Sequence, residues 1–206
     1  MNIRTYEDMS TMELDIIKEI GSIGNGNAAT ALSSMLNTKV NMKIPTVSVL
    51  EFNAALKHVG GEEEIVAAIL VELSGEIQGI MLFMLKDDFV QGAVARVLGK
   101  EKVSLTDLEE MERSLLIEIG NIVISSYINA LSSLTQVNVH LSIPQMSVDM
   151  TGAILTVPML LVANNSDRIM MVEGSFTIEG KEMESQMLLF PDVESLNILM
   201  KKLGVS

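Results

Sequence analysis

Four polar residues, Ser114, Glu118, Asn121 and Ser125, recur at the three- and four-residue spacing that stacks side chains along one helix face. With Ser114 as origin and about 100° per residue, they fall between about −20° and +40°. Leu115, Leu116, Ile119, Ile122 and Val123 occupy the opposite arc. The same row appears upstream as Asp15, Glu19, Ser22 and Gly26, with Ile16, Ile17, Ile20 and Ile23 behind it. A solvated helix face usually carries Lys, Arg and Glu, whereas these rows are short-chained and almost free of positive charge. They offer hydroxyl, carboxylate and amide groups side by side, which suits a docking surface. Gly21 and Gly120 lie just before the third position of each row. Each costs about 1 kcal/mol relative to Ala in mid-helix, and the expected return is close approach of a partner's backbone.

Other chemistries find no footing. The chain has no cysteine, so disulfides, thiolate catalysis and cysteine-ligated metals are excluded. His58 and His140 are isolated and read as surface or capping residues; no Ser-His-Asp constellation is present. Gly21, Gly24 and Gly26 imitate a phosphate loop, but they sit inside a capped helix and not between a strand and a helix start. Asn164-Asn165-Ser166 spells a glycosylation sequon and reads better as a turn, Glu62-Glu63-Glu64 as a solvated turn, and Asp87-Asp88 as a helix N-terminus.

The elements that position the rows come in duplicate. Residues 13–49 and 112–148 align without a gap at an offset of 99 and share 14 of 37 positions, including Glu-Ile-Gly and Ala-Leu-Ser-Ser. Each half starts with a long helix of some 25 residues, with capping boxes at Ser10/Glu13 and Thr106/Glu109, ending near Asn37 and Gln136. An alternating strand follows (Val40, Met42, Ile44; Val137, Val139, Leu141, Ile143) and ends at Pro45 or Pro144. Strand pairs are expected at 65–73 with 78–85 and at 169–178 with 182–190. Short amphipathic helices at 87–98 and 192–203, each followed by glycine, close the halves. Residues 51–61 could add a short helix. The expected architecture is one pseudo-twofold α+β domain over 1–206, built from repeats at about 10–99 and 106–204, with six or so strands in one sheet. Two independent domains are disfavoured, because a single long helix would leave part of each sheet face uncovered.

Composition sets the remaining bounds. A chain of 206 residues with 48% hydrophobic and 20% charged residues can bury a full core. The formal charge of −13 opposes a nucleic-acid partner. Sixteen Met against five Phe and no Trp indicate a core of pliable aliphatics. The N-terminal residues have no apolar signal core, and the apolar run from Ala153 to Ala163, broken by Thr156 and Pro158, is too short to span a bilayer. A cytoplasmic monomer without membrane insertion is expected.

The spacing of Ser114, Glu118, Asn121 and Pro144 resembles the signature of the CheC/CheX/FliY phosphatases of bacterial and archaeal chemotaxis. The upstream copy follows it at Asp15, Glu19 and Pro45 but has Ser22 where the family has Asn. Length and duplication are similar to CheC. The resemblance implies two long helices packed on one mainly antiparallel sheet, and hydrolysis of the phospho-aspartate of the response regulator CheY. It further implies that Asn121 orients the attacking water while Glu118 pairs with a lysine of CheY. By the same resemblance, Glu19 and Ser22 form a degenerate second site that docks CheY but is impaired in hydrolysis. Asn25 is displaced about 60° and 4.5 Å from Ser22 and is not expected to substitute. Pro45 and Pro144 are read as structural supports, with Asp15 and Ser114 completing the motif. No intrinsic cofactor is expected, Mg²⁺ being CheY's own, and the receptor deamidase CheD is a further candidate partner. A largely non-catalytic adaptor for phosphorylated CheY or CheD is the alternative.

Overall fold

The structure is a computed structural model and describes residues 3–162, 168–178 and 180–205. The first long helix, α1 (Thr11–Met35), begins as expected: the Ser10 backbone N–H donates to Glu13 Oε2 at 2.6 Å, and the Ser10 hydroxyl accepts from the Glu13 N–H at 3.4 Å. Next come β1 (Val40–Met42), β2 (Thr46–Glu51) and α2 (Phe52–His58), then the hairpin β3 (Ile65–Gly75) and β4 (Gly79–Leu85), then α3 (Asp87–Leu98). The second half repeats this as α4 (Glu110–Thr135), β5 (Val139–Leu141), β6 (Gln145–Met150), α5 (Thr151–Val162), β7 (Arg168–Ile178), β8 (Lys181–Pro191) and α6 (Val193–Lys202). Asn37 and Gln136, a repeat-related pair, close the long helices in left-handed conformations with φ of 47° and 58°.

One sequence expectation needs correction, and β2, β6 and α5 add to the expected elements. The second capping box is Glu109/Glu112, not Thr106/Glu109: the Glu109 N–H donates to Glu112 Oε2 at 2.8 Å, while Thr106 lies in a 3₁₀ turn before the helix. The true pair is the repeat equivalent of Ser10/Glu13, and Lys100 stabilises it with ion pairs to Glu112 at 2.8 Å and Glu109 at 2.9 Å. β1 and β5 do end before Pro45 and Pro144, as expected, but a further strand follows each proline. Lacking an N–H, each proline sits at the break between two strands, and β2 and β6 start directly after it. The run around Ala153, too short to span a bilayer as expected, forms a helix, α5, with Pro158 inside it. The sequon at Asn164 lies outside the described residues.

Among the described residues, eight strands form one antiparallel sheet in the order β1-β7-β8-β4-β3-β5, with β2 also beside β7 and β6 also beside β3. The halves interleave. Strands β1 and β2 of the first half pair with β7 of the second (Met42 opposite Phe176, Val47 opposite Val172). Strands β5 and β6 of the second half pair with β3 of the first (Val139 opposite Gly75, Met146 opposite Ile69). One sheet face carries α1, α3, α4 and α6 over a core containing Ile17, Ile20, Leu116, Ile119, Phe83 and Phe89. The other carries α2 and α5 over Ala55, Leu56, Leu82, Leu155 and Phe190. The two long helices thus share one face, as the repeat predicts. They cross so closely that a Cβ on Gly24 would stand 2.8 Å from the Tyr127 Cα, a separation only glycine permits. By length and composition α4 could cross a membrane, being a longer candidate than the Ala153 run, but it packs against α1 and the sheet as a core helix.

Candidate functional site

The apolar side of α4 is anchored by Leu115, Leu116, Ile119 and Val123, all buried, and this fixes which side faces outward. Ser114 and Glu118 are exposed, and Asn121 and Ser125 are half-buried at the edge of the same face. On α1, Asp15, Glu19 and Gly26 are exposed and Ser22 is half-buried. Both rows expected from the sequence therefore reach solvent on helices that a shared core holds still. Ile23, expected behind the first row, is instead exposed at 37%; Gly24 takes its place at the helix crossing.

The two rows differ in their hydrogen bonds. In the second, the Ser125 hydroxyl donates to Oδ1 of Asn121 at 3.4 Å. In the first, the Ser22 hydroxyl donates to the Lys18 carbonyl at 3.0 Å, so its proton is committed to its own helix. Asn25 is buried, and its Nδ2 donates to the Lys43 carbonyl at 3.0 Å, tying α1 to the corner before Pro45. That amide is structural and does not replace the missing one.

The mid-helix glycines do a different job from the one expected. Both are buried, and the close neighbours are this chain's own side chains: a Cβ at Gly21 would lie 2.9 Å from Pro45 Cγ, and one at Gly120 2.9 Å from three carbons of Ile69. They let the helices settle onto the sheet; a partner's backbone has no access there. Pro45 is accordingly buried against α1, while Pro144 is half-buried.

His58 meets Glu173 at 2.9 Å on the surface, and His140 is exposed. Among the described residues no three His, Asp or Glu side chains gather as a metal site requires. The rows offer no nucleophile activated by a base. Glu118 and Asn121 can accept a cation and hold a water.

Similarity to known proteins fits this geometry. Residues 12–49 match the CheC-like family and residues 66–159 match the chemotaxis phosphatase CheX family. The chain is 30% identical to the CheY-P phosphatase CheC of Bacillus subtilis over 98% of both chains. It is also 30% identical to the flagellar motor switch phosphatase FliY of the same organism, over 92% of this chain and 49% of that one. The crystal structure of Thermotoga maritima FliY superimposes with a TM-score of 0.78 at 21% identity, covering 96% of this chain and 98% of that one. The FliM middle domain of H. pylori follows with 0.69 at 16% identity, covering 94% and 99%. The shared architecture is the duplicated α+β fold of the chemotaxis phosphatases and flagellar switch proteins. The chain belongs to the CheC family.

Proposed function

We propose that this chain hydrolyses the phospho-aspartate of a CheY-type response regulator, the activity named for its Bacillus subtilis relative. The observation that carries the reading is the pairing of exposed Glu118 with half-buried Asn121 on one face of a core-anchored helix. Phosphoryl hydrolysis of this kind demands little covalent chemistry and is accelerated chiefly by positioning and electrostatics. In this reading the Glu118 carboxylate pairs with a lysine of the regulator and sets the register. The Asn121 amide then holds a water in line with the Asp–phosphoryl bond. Water attacks phosphorus, the aspartate oxygen leaves, and inorganic phosphate is released. Mg²⁺ is supplied by the regulator, and both proteins meet in the cytoplasm, this one as a monomer. The test is phosphate release from phosphorylated CheY with and without the protein; unchanged release at stoichiometric protein would refute it.

The state of Ser22 favours a second role for the first row. With its hydroxyl bound to Lys18, the row retains Asp15 and Glu19 for docking and lacks the amide. We propose that it captures phosphorylated CheY without turning it over, so that one molecule binds two regulators and hydrolyses one. An adaptor role toward CheD is compatible with this, and co-purification from cells that contain CheD tests it.

A further inference from the structure

We propose that Ser125 is a positioning residue for Asn121, an inference that rests on the phosphatase reading above. Asn121 is half-buried at the edge of the exposed face. The Ser125 hydroxyl, one turn further on, donates to Asn121 Oδ1 at 3.4 Å. Helix serines commonly turn their hydroxyl back to the carbonyl four residues earlier, and Ser22, Ser33 and Ser34 of this chain all do so. Ser125 directs its proton to a side chain instead. Anchored through one lone pair of Oδ1, the amide keeps its second lone pair and both N–H groups free, in one fixed plane. A reactive water needs that plane held, because a misplacement of about 1 Å can cost about 10²-fold in rate.

The duplication supplies an internal control. The first row has lost the amide, with Ser22 in its place, and the residue matching Ser125 is Gly26, which carries no hydroxyl. A Cβ at Gly26 would meet nothing within 4 Å, so packing does not demand glycine there. The hydroxyl is present where there is an amide to hold and missing where there is none.

The experiment compares Ser125→Ala and Ser125→Thr with the unaltered protein in phosphate release from phosphorylated CheY. It also follows the Asn121 side-chain amide by ¹⁵N relaxation in the protein alone. Alanine favours helix and threonine costs under about 1 kcal/mol of helix propensity, so both variants fold. The expected result is a fall of about tenfold in kcat for Ser125→Ala, KM within twofold, recovery in Ser125→Thr, and a lower amide order parameter in Ser125→Ala only. An unchanged kcat, or an equal loss in Ser125→Thr, overturns the proposal. So does an Asn121 amide equally rigid without the hydroxyl, and that readout stands even if the unaltered protein releases no phosphate, the outcome that defeats the phosphatase reading itself.

Discussion

The Ser22 hydroxyl donates to the Lys18 carbonyl 3.0 Å away, whereas the repeat-related Asn121 presents an amide at the edge of its helix face. The two rows should therefore differ in hydrolysis. Asn121→Ala should lower stimulated CheY-P hydrolysis by about 10²–10³-fold, the usual cost of removing a positioned polar group at a reacting centre. Ser22→Ala should leave the rate within twofold. Glu118→Ala should raise KM far more than it lowers kcat, because it removes a docking charge. Steady-state phosphate release on the three variants checks all of these together.

Rebuilding the first row is a harder test. In an Asn121→Ala background, Ser22→Asn should restore measurable hydrolysis, since Asp15, Glu19 and Pro45 are already in place. Adding Gly26→Ser, for which there is open space, should raise it further by supplying the missing hydroxyl. A Ser22→Asn/Gly26→Ser protein no more active than Asn121→Ala alone would mean that the first row never reaches the phosphoryl group.

Gly120 packs directly on Ile69, and a methyl group there would fall 2.9 Å from three of its carbons. Gly120→Ala should lower stability by about 1–3 kcal/mol despite the better helix propensity of Ala, because overpacking outweighs propensity. Chemical denaturation measures it. Gly26→Ala, in open space, should shift stability slightly the other way.

The Glu109/Glu112 cap makes stability depend on pH. Hydrogen bonds from Lys100 and from the Glu109 N–H hold the Glu112 carboxyl below its ordinary value of 4.5, and Glu112 with Glu109 raises Lys100 above 10.5. A lowered folded-state carboxyl contributes fully above about pH 4.5 and loses its contribution as pH falls through the folded value. The raised lysine contributes below about pH 10.5 and loses its share above that. Glu112→Gln should therefore lower stability near neutral pH and flatten the acid limb of the stability profile. A pH series of denaturation midpoints shows whether the two curves converge in acid.

Much of this was legible in the sequence because the chain states it twice. The long helices, the two hairpins, α3 and α6 follow from periodicity and caps, and the exposed rows follow from the wheel. The omissions and misreadings have physical causes. Each proline does mark the end of a strand, but a residue without an N–H does not prevent a new edge strand, β2 or β6, from starting directly after it. The short helix expected at 51–61, shifted by the offset of 99, falls on α5. Gly21 and Gly120 looked like openings for a partner because sequence alone does not say which neighbour fills the space. The Ser125–Asn121 and Asn25–Lys43 hydrogen bonds depend on side-chain direction, which spacing does not encode.

The interleaved sheet sets a timetable for biosynthesis. Strands β1 and β2 leave the ribosome early, yet their partner β7 is made more than a hundred residues later. Until then they are bare edges of the kind that recruit foreign strands, as is the outer side of β3 until β5 and β6 emerge. Late closure also means high contact order and slow folding. The nascent first half is thus the most vulnerable form of this protein, and a holding chaperone would have its greatest effect between the emergence of β4 and that of β7.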